Sequence, residues 1–323
     1  MKILIVGTGV IGTIYGWVLS DAGHEVVHYV RSGRSGNFKN GIAIDMLDNR
    51  RGHKKRFKGL YRPKMAEYAK TDGDPFGIVI IPTKPYQLID ALKNLVPAAG
   101  NADFFLLTQN WEGTSEIDRI IDSSKYIFGD AKAGGAFKGD KLIAVIYNSI
   151  DLGQVRGLNN DCLKSITGLI KSADIKPVIQ KNILEYIQVQ YAVNAGLWPP
   201  VVRLGGIEAL LNDKKSGILT LMAVKECLEV IKKMGIDLKL YPETSMYLNN
   251  SKIGRNIALF VLRFLFKHNE SVIRSSLHAL GDPREIKESY DNLRVSGKSL
   301  GVDMPVMDSF EDDMEKFANS SLR

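Results

Sequence analysis

The chain has 323 residues, 45% hydrophobic and 24% charged, the balance of a globular protein long enough for two domains with cores of their own. Its two cysteines, Cys162 and Cys227, are too few and too far apart for a disulfide framework or a zinc site, which predicts a reducing, cytoplasmic setting and no bound metal. The net charge is +7, but eight Lys and Arg lie between positions 50 and 64 with no acid among them; without those eight, 35 basic residues face 36 acidic ones.

The basicity is therefore one local stretch, RRGHKKRFKGLYRPK. It reads as a solvated hairpin or loop, because a nucleic-acid surface usually draws charge from several elements, and no nucleic-acid partner is expected. The apolar start, Ile3 to Val6, is too short for a signal peptide. No apolar run reaches membrane-spanning length; the nearest, NIALFVLRFLF at 256–266, is broken by Arg263.

In chain order, KILIV is a short β-branched run, as a buried parallel strand requires. Gly7, Gly9 and Gly12 follow at G-x-G-x-x-G spacing. Val10, Ile14, Trp17 and Val18 then recur at helical spacing, Gly23 stops the helix, and EVVHYV at 25–30 reads as a second strand. Strand, glycine turn, helix and strand within about thirty residues predict a dinucleotide site. Gly7 allows the tight turn, Gly9 lets the backbone approach a pyrophosphate, and Gly12 lets the helix pack closely on the sheet. The helix start at Val10 and Ile11 offers unpaired N–H groups and a positive dipole end to the phosphates. The second strand ends on Arg31, with Arg34 close behind, where an NAD enzyme usually carries a carboxylate. A guanidinium binds a 2′-phosphate, so NADP is favoured.

FGIVIIPTK at 76–84, DFFLLTQNWEG at 103–113 and YIFGDAK at 126–132 read as further buried strands with polar residues at their carboxyl ends. Ligands collect at that edge of an open α/β sheet, which singles out Thr83, Lys84, Gln109, Asn110, Asp130 and Lys132. GAFKGDKLIAVIYNSIDLG reads as antiparallel strands around Gly139-Asp140, closing the sheet edge. After Asn160 a helix and one short strand, KPVIQK, lead into almost purely helical patterns: Ile183 to Asn194, Gly206 to Leu211, Ser216 to Met234 and onward. The predicted class is α/β, with a dinucleotide-binding domain over 1–181 and a mainly α-helical domain over 182–323.

By this point the chain resembles the ketopantoate reductase (2-dehydropantoate 2-reductase) family. The likeness rests on the glycine loop with Arg31, PTKPYQ, QNWEGT, YAVN on a helix opening the second domain, GDPREI and the late GVDMPV. It implies a Rossmann-type first domain, a helical substrate and dimerisation domain, a homodimer, and NADPH-dependent reduction of an α-keto acid. By resemblance, Asn110 lies near the nicotinamide and Lys84 is the cofactor-side lysine. Asn194 is the first active-site asparagine, and Glu285 contacts the substrate hydroxyl.

The chain also departs from that pattern. The family's general-acid lysine lies four residues before the YAVN asparagine, where this chain has Gln190. A second asparagine, four residues after the first, is Trp198, and the substrate-carboxylate serine aligns with Ile273, between Ser271 and Ser275. Hydride addition to a ketone creates an alkoxide that needs a proton or a cation beside it. A neutral amide donates a hydrogen bond but delivers no proton at physiological pH. Lys132, at the carboxyl end of the stretch 126–132, is a candidate to compensate. Three functions therefore compete. One is an NADPH-dependent reductase of a keto acid or related carbonyl compound, another an NADP-binding sensor or regulator without ketopantoate reductase activity. A third is an adaptor using the basic stretch and KIGRNIALFVLRFLFK, a segment that otherwise reads as a buried helix at a domain or subunit interface.

Overall fold

KILIV forms β1 (Lys2–Val6), with Ile3, Leu4 and Ile5 fully buried, and feeds through the glycine turn into α1 (Val10–Asp21). The computed structural model describes residues 1–36, 38–52, 55–67, 75–155, 161–249, 251–278 and 280–320; Lys54 of the basic stretch and Asn160 lie outside the described residues. β2 (Glu25–Tyr29) returns beside β1, and Gly23 between helix and strand takes φ +84°. β3 (Ile42–Asp48) and β4 (Lys55–Tyr61) pair antiparallel, and β5 (Lys64–Ala66) lies parallel to β2. β6 (Ile78–Ile81), α2 (Pro85–Leu95), β7 (Asp103–Leu106) and β8 (Tyr126–Asp130) follow as the apolar runs predict. β9 (Ala133–Lys138), β10 (Lys141–Ile146), β11 (Ser149–Gly153), α3 (Asp161–Ser172) and β12 (Lys176–Ile179) complete the first unit.

Eight strands form the main sheet in the order β12-β11-β8-β7-β6-β1-β2-β5, all neighbours parallel except β8 and β11. The chain builds outward from β1 in both directions, so the strand order reverses between β1 and β6. In open α/β sheets ligands bind at that point, outside the carboxyl ends of the strands. One expectation is corrected here. The hairpin around Gly139-Asp140 exists, but β9 and β10 do not close the main sheet; they belong to a separate four-stranded sheet ordered β4-β3-β10-β9. The parallel pairing of β10 with β3 joins segments about a hundred residues apart, which hairpin-range patterning cannot show. Only β11 and β12 extend the main sheet.

The basic stretch is largely an edge strand. Arg50 is the exception: its buried guanidinium bonds Asp48, Asp21 and the Ala173 carbonyl, and lies 5.3 Å from the Trp17 ring centroid. Arg51 pairs with Asp174, Arg56 with Asp45 and Lys64 with Glu25. Part of the positive charge is thus answered within the fold.

The chain divides into two compact units, Met1–Leu184 and Glu185–Arg323. α4 (Ile183–Leu204) carries it across the division and runs ten residues past the predicted end, through Pro199 and Pro200. Two prolines remove two N–H donors, which is why the pattern suggested an earlier stop. Gly196 lets the helix meet α6 (Lys214–Lys233) closely, since a Cβ there would lie 2.5 Å from the Val224 Cα. α5 (Ile207–Asn212) precedes α6, whose Leu221, Val224, Leu228 and Ile231 form the buried spine of the second unit. α7 (Ser245–Leu248), α8 (Lys252–His268), α9 (Glu270–Ser275), α10 (Pro283–Ser299), α11 (Pro305–Asp308) and α12 (Glu311–Ser320) complete it. α8 buries Ala258 and Leu259 toward α6, while Ile253, Ile257, Phe260 and Phe264 face outward, 57–74% exposed. Among the described residues, no helix is long and apolar enough to cross a membrane.

Candidate functional site

The glycine turn has the geometry a dinucleotide requires. Gly7 sits at φ +81°, and its N–H donates to the Tyr29 carbonyl at 2.8 Å. Gly9 caps α1 with no side-chain hydrogen bond, and a Cβ on it would meet only open space. The first-turn N–H groups of α1 therefore lack a side-chain acceptor, beside a backbone that a ligand can approach. Gly12 is tightly constrained: a Cβ there would lie 2.9 Å from the Gly7 carbonyl oxygen. Behind the turn, buried His28 joins Nδ1 to the Gly7 carbonyl at 2.8 Å and Nε2 to the Tyr61 hydroxyl at 2.9 Å. A carbonyl can only accept, so the neutral ring donates from Nδ1 and accepts from Tyr61 at Nε2. Burial holds the imidazole below its ordinary pKa and so keeps it neutral. Val10 and Ile11 occupy the first turn of α1 as expected.

At the carboxyl edge of the main sheet, Thr83 follows β6 with a buried hydroxyl that has no hydrogen-bond partner among the described residues. A buried hydroxyl left unpaired is costly and fits a site that receives a polar ligand. Lys84 is the N-cap residue of α2, half-buried. Asn110, after β7, is buried and spends its side chain on its own turn: Nδ2 donates to the Gly113 carbonyl and Oδ1 accepts the Gly113 N–H, both at 2.8 Å. It shapes the turn that the resemblance placed near the nicotinamide.

Arg31 and Arg34 lie exposed just beyond β2, in a turn closed by the Arg34 N–H on the Arg31 carbonyl. The parallel register of β2 with β5 sets Ala66 against Tyr29, which brings Glu67 to the same edge. Sequence reasoning missed Glu67, because a three-residue strand leaves almost no pattern.

Lys132 is not a loose surface lysine. Its ammonium pairs with Asp151, which is buried and also accepts from the Gln180 side chain. Asp151 stands directly opposite Asp130 where β11 meets β8. Burial first, and the neighbouring Asp151 second, push the Asp130 carboxyl up to about 6, with Lys132 opposing them. Tyr15 of α1, buried with an unpaired hydroxyl, is raised far above the ordinary phenol range by burial, with a smaller contribution from Asp130. Asp151 had no recognisable signal, since its pairing with β8 is non-local.

In the second unit, Gln190 and Asn194 stand one turn apart on α4, where i and i+4 share a face. Ile187 and Tyr191 are buried beside them, as is Ile183 at the start of the helix. Gln190 Nε2 donates to Glu243 Oε1 at 3.0 Å, so the position of the family lysine faces a carboxylate that the sequence did not suggest. The half-buried Asn194 makes no side-chain hydrogen bond among the described residues. Glu285 lies in the first turn of α10, its N–H held by the N-cap carboxylate of Asp282 at 3.1 Å. Near the missing carboxylate-binding serine, Ile273 is 41% exposed, Ser271 is buried and Ser275 donates to the Val272 carbonyl.

A doubly wound parallel sheet with an uncapped glycine turn at its switch point, followed by a helical unit, is a Rossmann-type architecture. The family profile for ketopantoate reductase PanE/ApbA matches residues 3–145, most of the first unit. The 2-dehydropantoate 2-reductase of Aquifex aeolicus (strain VF5) is 28% identical over 62% of this chain and 62% of its own length. That of Pyrococcus abyssi (strain GE5 / Orsay) is 24% identical over 75% of this chain and 77% of its own. The match thus spans somewhat under two thirds of the Aquifex relative. Among solved structures, D-mandelate dehydrogenase with NADH and anilino(oxo)acetate superposes with a TM-score of 0.74 at 16% identity, covering 99% of both chains. The 2-dehydropantoate 2-reductase of Geobacter metallireducens GS-15 gives 0.72 at 14% identity, covering 98% of this chain and 99% of its own. At such identities these structures support the fold.

Proposed function

We propose that the chain is an NADPH-dependent reductase of a 2-keto acid or closely related carbonyl compound. The observation that carries the reading is the glycine turn: an open Gly9 face, an uncapped α1 start and a Gly12 that admits no side chain, with Arg31 beyond β2. Gly7, Gly9, Val10, Ile11 and Gly12 would hold the pyrophosphate and Arg31 the 2′-phosphate, while Thr83 and Lys84 line the same sheet edge. The nicotinamide nucleotide supplies the hydride when bound. Lys132 holds a proton as an ammonium stabilised by Asp151, and it is the chain's candidate source of the proton that the nascent alkoxide takes. Asn194 and Glu285 would orient the substrate, and Gln190 would offer a hydrogen bond in place of the family's charge. A second copy of the chain as partner is consistent with the dimeric ketopantoate reductase of Staphylococcus aureus, which shares the fold.

One observation favours a second reading, a nucleotide-binding protein without ketopantoate reductase activity. The Gln190 amide is engaged by Glu243, and the larger Trp198 stands where the family has an asparagine. The test is NADPH oxidation against a panel of ketopantoate and short, branched and aryl 2-keto acids. Turnover of at least one member, lost in Lys132→Ala, supports the first reading. NADPH binding with no turnover across the panel supports the second.

A further inference from the structure

The turn after β2 is shaped to hold an anion, and a carboxylate of the chain itself is seated in it. The Ser35 N–H and hydroxyl both donate to Glu67 Oε1, at 3.2 and 2.6 Å. Hydrogen bonds from the Gly33 N–H and the Ser32 hydroxyl join them, and together these hold the Glu67 carboxyl below its ordinary range. Gly33 takes φ +77°, a conformation that turns successive backbone N–H groups toward one point. Donors from three of four consecutive residues thus converge on one small oxyanion. Arg31 and Arg34, exposed on the same turn, make no ion pair with Glu67. The carboxylate takes up the hydrogen-bonding capacity of the turn, while neither guanidinium forms an ion pair among the described residues.

We propose that this turn, Ser32 to Ser35 with Arg31 and Arg34, receives a phosphate monoester, the adenosine 2′-phosphate of the cofactor, and that Glu67 is its internal occupant. The phosphate must displace Glu67 to reach the donors. The proposal rests on the NADPH reading above and deepens it: Glu67 is a specificity-determining residue that weakens NADPH binding and leaves NADH binding untouched. Two like charges a few ångströms apart at a protein surface repel, so removing the Glu67 charge should tighten NADPH binding roughly tenfold.

The test titrates wild type, Glu67→Gln and Glu67→Ala with NADPH, NADH and adenosine 2′-monophosphate, the last as a probe that needs no nicotinamide site. Glu67 is partly exposed, and melting curves confirm that the variants fold. Both substitutions should tighten NADPH and adenosine 2′-monophosphate about tenfold and leave NADH unchanged. Adding Arg31→Ala to Glu67→Ala should cancel the gain. Weaker NADH binding in either variant would mean that Glu67 serves the ribose hydroxyl and would overturn the proposal. So would NADPH and monophosphate affinities that stay constant or fall. Tighter monophosphate binding in a protein that reduces no keto acid would uphold the proposal while the reductase reading fails. Keto-acid turnover with no effect of Glu67 would do the reverse.

Discussion

Replacing Asp130 by asparagine should make the first unit more stable at pH 8 and leave it unchanged at pH 4. Burial and the facing Asp151 raise the Asp130 carboxyl from 3.8 to about 6 in the folded protein. Between those two values the native state keeps a proton that the unfolded chain has lost. Stability therefore falls as pH rises through the window and levels off above it. A shift of about two units, at roughly 1.4 kcal/mol per unit, amounts to about 3 kcal/mol of destabilisation carried at neutral pH. Asparagine has the same shape and no charge, so the variant escapes that cost only where the wild type is ionised. The assay is urea unfolding at both pH values in a Trp198→Phe background, so that Trp17 and Trp111 report on the first unit alone. Equal differences at pH 4 and pH 8, or an asparagine variant less stable at pH 8, would refute the reasoning.

Gln190→Lys should raise ketopantoate reduction by about 10²- to 10⁴-fold, the usual contribution of a positioned general acid. Glu243, 3.0 Å from the present amide, supplies the lysine with a counter-charge; an unchanged rate of NADPH oxidation contradicts this. Arg50→Ala leaves Asp48 facing a buried gap and should cost about 3–5 kcal/mol in denaturant unfolding, whereas loss of the exposed Lys64–Glu25 pair in Lys64→Ala should leave the denaturation midpoint nearly unchanged. Gly12→Ala presses a methyl group against the Gly7 carbonyl, a backbone atom that cannot swing aside. It should cost about 1–3 kcal/mol of stability and at least about tenfold in NADPH affinity, read by melting and by titration.

The legible parts of the chain were those fixed by neighbours in sequence. β1, the glycine turn, α1 and β2 follow from a β-branched run, three glycines and helical spacing, and each glycine has the environment its spacing implies. The hairpin at Gly139-Asp140 was visible for the same reason, but its sheet was not, because β3 recruits β10 across the whole first unit. Arg31 and Lys84 were singled out by their place at strand ends, and Asn194 by resemblance. Glu67, Glu243 and Asp151 were not, since each reaches its partner only through strand register or helix packing. Lys132 shows the difference well. The sequence marked it only as a candidate at the sheet's carboxyl edge, and the antiparallel register of β11 supplies the buried carboxylate that the sequence did not show.

The account turns on what the glycine turn and Arg31 bind, and one titration addresses it. NADPH and NADH are added to the wild type and to Arg31→Ala at one fixed ionic strength, and binding is followed by nicotinamide fluorescence. The charge-assisted bond to the 2′-phosphate is worth about 1.5–3 kcal/mol, so the wild type should bind NADPH roughly ten- to a hundredfold more tightly than NADH. That preference should vanish in Arg31→Ala through loss of NADPH affinity alone. Equal affinities in the wild type, or tighter binding of NADH, would contradict the account.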